Sequence, residues 1–258
     1  MTMWAKALVI ALATLLSTTS VLPVAGALAK TQPVLTTTAF PAASAGNHIS
    51  DTATLSGATA DATGTITFSL YGPDDTQCTG TAAAAGTRTV SGGNTFYDSD
   101  VMSPTAPGVY RWVATYSGDA NNNGAVAPCN APGGTSVITT AWTVIIGSAT
   151  TTAAVGGAIQ DRATTIFENG TATGTINFSL YGPNDATCTG PAASAGTVTG
   201  PFSDFATYTS SAVTVSVPGT YRWIVSYSGD LQTKSFKTVC NDPGQITLVL
   251  GTIAGGLW

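Results

Sequence analysis

The side chains with the clearest chemical potential in this sequence are four cysteines, Cys78, Cys129, Cys188 and Cys240. They occupy matching places in two copies of an internal repeat, and only the pairings Cys78–Cys129 and Cys188–Cys240 respect that repeat. Repeated, evenly numbered cysteines are typical of disulfides in an oxidising compartment, whereas a metal or redox site would need neighbouring ligands such as histidine. We therefore predict one disulfide per copy, each closing a loop of about 50 residues and stabilising its domain by about 4 kcal/mol.

A second candidate is the segment Asp119–Gly124, whose sequence DANNNG matches the start of a calcium-binding loop. The twelfth position of that loop is Asn130 instead of the bidentate glutamate that calcium requires, and no helices are expected beside it. The second copy reads DLQTK over Asp230–Lys234, which removes oxygen ligands and adds a cation. We interpret the segment as an asparagine-rich turn and predict no metal site, with calcium binding as the alternative.

Residues suited to catalysis do not recur in the two copies. His48 is the single histidine, and the matching position holds Ala158, whereas Ser-His-Asp chemistry needs a histidine held by a carboxylate. The adjacent acids Asp74–Asp75 match Asn184–Asp185, which indicates a solvated turn rather than the separated carboxylate pair of a glycoside hydrolase. We predict a protein that is not an enzyme and that carries no cofactor.

Arginine and aromatic side chains are the remaining candidates for recognition of a ligand. Arg111 and Arg222 alternate with apolar residues, and we expect them to pack on a neighbouring strand or to pair with an acid, with contact to an anionic glycan as the alternative. The aromatic candidates for an exposed loop cluster are Phe96, Tyr97, Phe202, Phe205 and Tyr208. Packing within a strand explains these aromatic residues equally well.

The elements that position these residues follow from a repeat of about 110 residues. Three segments recur: Gly64–Gly80 as Gly174–Gly190, Pro107–Asp119 as Pro218–Asp230, and Cys129–Gly133 as Cys240–Gly244. A period of this length indicates two copies of a whole domain rather than a solenoid of small units. We assign the domains to residues 31–146 and 147–251, joined without a long linker, and residues 252–258 to a short tail.

The first 29 residues have the layout of a secretory signal peptide. Lys6 precedes the apolar run Ala7–Leu16, and Ala27–Ala29 fits the small-x-small cleavage rule. The run of about ten apolar residues is shorter than the roughly 20 that a spanning helix needs. We expect cleavage, no stable membrane span afterwards, and an extracellular or cell-surface location.

Hydrophobic residues within each copy alternate with a period of two. Over residues 65–71 every second side chain is Ile, Phe or Leu, and over residues 109–116 Tyr110, Trp112 and Tyr116 share one face. Such alternation is typical of half-buried strands, and clusters of Gly, Pro, Asn and Asp separate them at intervals of about 8–12 residues. Each copy is therefore predicted to be a β-sandwich.

One strand also carries a tyrosine two residues before a tryptophan, as Tyr110 and Trp112 in the first copy and Tyr221 and Trp223 in the second. In immunoglobulin-type folds a tyrosine at this spacing from a core cysteine bonds the nearby backbone through its hydroxyl. We predict that both tyrosines form such corners and that both indoles fill the space between the sheets. The alternative is simply two aromatic residues on one strand face.

The segments Gly64–Pro73, Pro107–Trp112 and Tyr116–Asp119, each present twice, resemble those of bacterial Ig-like repeat domains of secreted and cell-surface proteins. The resemblance covers nearly the whole chain after the signal segment. It implies all-β, Ig-like sandwiches in tandem that serve as spacer or adhesive modules without catalysis. It implies no specific ligand.

The composition agrees with that expectation. Charged residues are 8% of the 258 and hydrophobic residues 43%, so the chain can bury two cores but has no basic patch for nucleic acid. We expect a secreted or cell-surface module acting as a spacer, adhesive or interaction pair, with an unknown surface protein or glycan as partner. The alternative is a carbohydrate- or protein-binding protein with its site in the loops at the sandwich ends.

Overall fold

The computed structural model describes residues 29–251, which form strands and turns. The predicted all-β fold of immunoglobulin type is confirmed. No helix in the described part of the chain is long and apolar enough to span a membrane. The predicted signal peptide, apart from Ala29, and the predicted tail over residues 252–258 lie outside the described residues.

The first sandwich contains two sheets that face each other. Its strands are β1 (Val34–Ala39), β2 (Ala42–Ser44), β3 (Asp51–Ser56), β4 (Thr65–Tyr71), β5 (Ala83–Thr89), β6 (Phe96–Asp98), β7 (Gly108–Tyr116), β8 (Ala125–Ala127) and β9 (Thr135–Thr139). One sheet has the order β1-β3-β6, and the other has the order β2-β9-β7-β4-β5 with β8 paired to β7. The pairing of β2 with β9 is parallel, and the others are antiparallel.

The second sandwich repeats this arrangement. Its strands are β10 (Thr143–Gly147), β11 (Thr152–Ala154), β12 (Ala158–Ile159), β13 (Arg162–Phe167), β14 (Thr171–Ala172), β15 (Thr175–Tyr181), β16 (Ala193–Thr199), β17 (Phe202–Ser203), β18 (Thr207–Thr209), β19 (Val213–Thr214), β20 (Gly219–Tyr227), β21 (Phe236–Lys237) and β22 (Ile246–Leu250). The two main sheets have the orders β10-β13-β18 and β11-β22-β20-β15-β16, with β21 paired to β20, and two short pairs, β12-β19 and β14-β17, lie beside them.

The strand at the boundary corrects the predicted division of the chain. β10 pairs along its length with β13, so that Thr143 lies opposite Phe167 and Gly147 opposite Ala163. β10 is therefore the first strand of the second sandwich, and a division between Ile146 and Gly147 would cut through it. The repeat does not mark the true boundary, because β10 shares few identical residues with β1, its counterpart in the first sandwich.

The core of each sandwich lies between its two sheets. In β4 the buried residues are Ile66, Phe68 and Leu70, which alternate with Thr and Ser as a period of two requires. Trp112 and its counterpart Trp223 are completely buried at the centre of the two cores.

Candidate functional site

The structure places the four cysteines in two disulfides, Cys78–Cys129 and Cys188–Cys240. The first bridge joins the turn after β4 to the segment after β8, and the second joins the equivalent segments after β15 and β21. Each bridge therefore ties loops together at the edge of the sandwich and does not cross the core. Its expected contribution is to restrict the unfolded chain rather than to perform chemistry.

Asparagine side chains next to the bridges hold the two arginines. Asn130 adopts a left-handed backbone (φ 62°), and its Nδ2 donates to the Thr76 carbonyl at 2.9 Å. Its Oδ1 accepts a hydrogen bond from Arg111 Nε at 2.7 Å, and Asn241 accepts one from Arg222 in the same way. Neither arginine pairs with an acid, so the partner is an asparagine of the disulfide loop.

Both tyrosines bond the backbone four residues upstream. The Tyr110 hydroxyl donates to the Ala106 carbonyl at 3.0 Å, and the Tyr221 hydroxyl donates to Val217 at 3.0 Å. The buried indole Nε1 of Trp112 donates to Ser136 Oγ at 3.1 Å, and that of Trp223 finds a Thr hydroxyl at the equivalent place. The tyrosines therefore brace the starts of β7 and β20, and the indoles are bonded inside the cores.

The carboxylate of Asp119 is held by backbone N–H groups of its own loop and of Thr63. Backbone N–H groups of Thr63, Asn121 and Asn122 donate to Asp119 at 2.7–2.8 Å. These bonds hold the pKa of the carboxyl well below its ordinary value, and the bond from Thr63 has the largest effect. In the second sandwich Asp230 accepts equivalent bonds from Thr173, Gln232 and Thr233. The described residues contain no group of three or more His, Cys, Asp or Glu able to hold a metal ion. The loop geometry is that of a turn closed by an aspartate.

The residues considered for catalysis remain apart. His48 is exposed, and its Nδ1 lies 2.8 Å from Ser103 Oγ. Asp75 accepts the Gly80 N–H at 2.8 Å, and this backbone bond lowers its pKa. Asp74 accepts the Val109 N–H at 3.0 Å, which makes it part of the same structural turn region.

The aromatic candidates do not form one cluster either. Phe202 is fully buried, with Tyr208 packed edge-on against it at a centroid distance of 5.0 Å. Phe205 and Phe96 are exposed, by 72% and 68%, but lie in different sandwiches. They do not form a single recognition surface.

Two buried aspartates, which the sequence reading did not single out, lie at equivalent positions of the two sandwiches. Asp161 Oδ2 accepts a hydrogen bond from Gln245 Nε2 at 2.8 Å, and Oδ1 accepts one from the Arg162 N–H at 2.9 Å. Asp51 accepts instead from the Thr37 hydroxyl. Burial raises the pKa of both carboxyls, in Asp161 to about 6.

The side chain that donates to the buried aspartate comes from a different segment of the chain in each sandwich. In the first sandwich Thr37 of β1 is the donor, and the position equivalent to Gln245 is Gly134. In the second sandwich Gln245 is the donor, and Gly147 stands where Thr37 would be. A Cβ on Gly147 would overlap the Gln245 side chain, so one side chain fills the space that the other leaves. The only sequence signal for this pair is a coordinated change between the copies.

Polar side chains of the two sandwiches meet at the short connection between β9 and β10, which we call the junction. The connection is bonded to the second sandwich, because the Ala141 N–H donates to Gln232 at 2.7 Å and the Lys234 N–H donates to Ala141 at 2.8 Å. Residues 140–142 are therefore held along their backbone and do not form a free linker.

Glu168, at the end of β13, spans the junction. Its Oε1 accepts from Ser44 Oγ of the first sandwich at 2.7 Å, and its Oε2 accepts from the Trp142 N–H at 3.0 Å. The next residue, Asn169, donates its side-chain N–H to the Ala45 carbonyl. These bonds connect one end of the first sandwich directly to the facing end of the second.

The junction residues are absent from the outer ends of the pair. The positions equivalent to Ser44 and Asn47 hold Ala154 and Gly157, and the positions equivalent to Glu168 and Asn169 hold Ala58 and Thr59. Residues that recur in both copies do not reveal this site, because an interface between two copies is marked by residues that differ between them. The single glutamate of the chain was the available signal.

Comparison with protein-family models and with curated proteins gives no match. Among solved structures, the chain is similar to a bacterial adhesin from Mobiluncus mulieris that contains intramolecular disulfide, isopeptide and ester bond cross-links. The similarity covers 85% of this chain and 98% of that chain, with 10% sequence identity and a TM-score of 0.35. A likeness at this level does not bear on function.

Proposed function

We propose that this chain is a non-catalytic, Ig-like tandem module of a secreted or cell-surface protein, in which two sandwiches held in a fixed relative orientation act as a spacer that presents an adhesive or interaction surface. The observation that carries the proposal is the junction, where Glu168 and Asn169 of one sandwich bond Ser44 and Ala45 of the other.

A fixed orientation follows from the way in which the connection is bonded. A flexible linker would let the sandwiches reorient freely, but backbone bonds and the Glu168 carboxylate hold residues 140–142 to the second sandwich, and Glu168 also accepts a bond from Ser44 of the first. Hydrogen bonds to a charged group contribute about 1.5–3 kcal/mol each, so the Glu168 contacts are strong enough to select one arrangement. A rigid pair transmits position and load better than two freely moving domains.

The location outside the cytosol is supported by the two disulfides, which persist in oxidising compartments and are rare in the cytosol. Non-catalytic action is supported by the dispersal of His48, Asp75 and Asp119, each of which is engaged in local structure. Adhesive use of the outer surface is the proposed role, with a glycan or a surface protein as its partner.

The test of the rigid spacer is the relative alignment of the two sandwiches in solution. Backbone residual dipolar couplings of the full mature chain should fit one alignment tensor for both sandwiches. Glu168→Ala introduces the residue that the first sandwich has at the equivalent position, so the fold accommodates it, and it should split the data into two tensors.

The matched control is Asp98→Ala, which removes a carboxylate that accepts a hydrogen bond from Thr52 of its own sandwich and takes no part in the Glu168 contacts. It should leave a single tensor. Two independent tensors in the unmodified chain, or an unchanged tensor in Glu168→Ala, would refute the proposal.

A further inference from the structure

A groove opens beside the Glu168 contacts, between the two sandwiches. Its volume is about 450 Å³, and its chemistry is set by Phe40, Ser44, Asn47, His48, Thr139 and Glu168. Small-molecule sites are commonly about 300–1,000 Å³ and occur preferentially at domain interfaces. The groove, which we call the junction groove, is open to solvent and lies within that range of volume; the first sandwich lines it, and the second contributes Glu168.

The polar groups of the groove retain capacity for a ligand. Glu168 accepts bonds from Ser44 and Trp142 and a longer one, at 3.5 Å, from Asn47, but two carboxylate oxygens offer about four acceptor sites, so one further donor can bind. His48 uses Nδ1 toward Ser103 and is otherwise exposed, which leaves its other ring nitrogen available. The Thr139 side chain is also exposed at the rim.

Phe40 supplies an apolar surface in the same groove. Its side chain is 52% exposed, because Phe40 continues the outward-facing positions of β1. A single exposed phenylalanine is ordinary, but here it lines the same groove as a carboxylate, an amide and an imidazole. This combination of one apolar face and several hydrogen-bonding groups is characteristic of specific ligand sites.

The second sandwich shows that the fold does not need these side chains. The Phe40 N–H donates to the Ser50 carbonyl and the Thr150 N–H donates to the Gln160 carbonyl, which makes Thr150 the structural equivalent of Phe40. By the same register Ala158 is the equivalent of His48. The contacts of Glu168 account for Ser44 and Asn47, but they do not account for Phe40 or His48.

We propose that the junction groove binds a neutral glycan residue, whose apolar C–H face packs on Phe40 and whose hydroxyls bond Glu168 and His48. A sugar ring combines one apolar face with a rim of hydroxyl groups, which is the complement of this set of side chains. The groove holds a carboxylate and no Lys or Arg, so an anionic sugar would be repelled. The inference goes beyond the spacer role but rests on the fixed arrangement proposed above, because Glu168 reaches the groove from the second sandwich.

The test uses the mature two-sandwich chain and the methyl glycosides of glucose, galactose, mannose and N-acetylglucosamine as probes. At least one probe should show saturation transfer from the protein and shift the backbone amides of residues 46–48 and 139–142. Phe40→Thr should weaken that binding by about tenfold or more, which corresponds to about 1.4 kcal/mol. His48→Ala should weaken it independently.

The matched control is Phe96→Thr, because Phe96 is 68% exposed in the same sandwich and its equivalent in the second sandwich is Thr207. It should bind as the unmodified chain does. Each substitution introduces the residue that the other sandwich already has there, so folding is preserved, and the dipolar couplings of Phe40→Thr should still fit one tensor.

Three results would overturn the proposal. They are the absence of saturation transfer with all four glycosides, amide shifts confined to other loops, and equal binding by Phe40→Thr. Binding of a lysine-containing peptide without binding of any glycoside would assign the groove to a cationic ligand instead.

Discussion

Replacing Asp161 by asparagine should abolish a pH dependence of stability that belongs to the second sandwich. Asp161 is fully buried, and its partners are neutral groups: the Gln245 side chain, the Arg162 N–H and the Ser210 hydroxyl, which accepts the N–H of Asp161 itself. The nearest charged side chain in sequence, Arg162, lies on the exposed face of β13. An ionised carboxylate in this environment loses hydration without gaining a cation.

The sign and size of the effect follow from linkage. Burial raises the pKa of Asp161 from 3.8 to about 6, so the folded chain keeps a proton that the unfolded chain has already lost, and the free energy of unfolding falls as the pH rises through that interval. Between pH 5 and pH 7 the loss is about 1.3 kcal/mol, because one pKa unit corresponds to about 1.4 kcal/mol. Asp185 and Asp230, the carboxyls of the second sandwich whose pKa values are lowered, act in the opposite direction only below about pH 5, where unfolded carboxyls begin to protonate.

The measurement is urea denaturation at pH 5 and pH 7, followed through the indole N–H signals of a chain labelled with ¹⁵N-tryptophan. Trp223 reports on the second sandwich and Trp112 on the first, each from its own core. The Trp223 transition should show greater stability at pH 5, and Asp161→Asn should make the two pH values equal for Trp223 while leaving Trp112 unchanged. A Trp223 transition that is more stable at pH 7, or a pH difference that survives in Asp161→Asn, would refute the reasoning.

Three further predictions concern stability. Gln245→Ala should cost the second sandwich about 1–3 kcal/mol, and more at pH 7 than at pH 5, because it removes the side-chain donor to an ionised Asp161; an equal loss at both pH values in the same titration would contradict this. Tyr110→Phe should cost about 1 kcal/mol in chemical denaturation, whereas Tyr97→Phe, whose hydroxyl lies 3.5 Å from its acceptor, should cost less; identical midpoints would count against the tyrosine corner. Reduction and alkylation of the cysteines should destabilise each sandwich by about 4 kcal/mol, so unchanged midpoints for both indole signals would show that the bridges contribute little.

The all-β fold could be predicted from the sequence because the buried face of a strand is marked by the alternation of apolar and polar residues along it. Ile66, Phe68 and Leu70 alternate with polar residues, and that alternation alone determines which side of β4 faces the core. The repeat added a second, independent signal, since two segments with nearly identical residues adopt the same structure. The positions of Tyr110 and the cysteines carried over for the same reason.

The junction and the buried aspartates could not be predicted in this way. Glu168 and Ser44 are 124 residues apart, and neither has a local pattern that requires the other. The exchange between Thr37 and Gln245 as donors to a buried aspartate acquires its meaning only when the two cores are superposed, because Thr37 lies on β1 and Gln245 just before β22.

By itself, the sequence determined the strands, their buried faces, the duplication and the residues available for two disulfides, because these depend on side-chain order along the chain. Only the tertiary structure decided that β10 belongs to the second sandwich, that Glu168 joins the two units and that Phe40 and His48 line one groove with it. The physical reason is that local alternation is compatible with many strand registers and pairings. The packing of the whole chain selects among them the arrangement that buries the most apolar surface while its polar groups remain hydrogen-bonded.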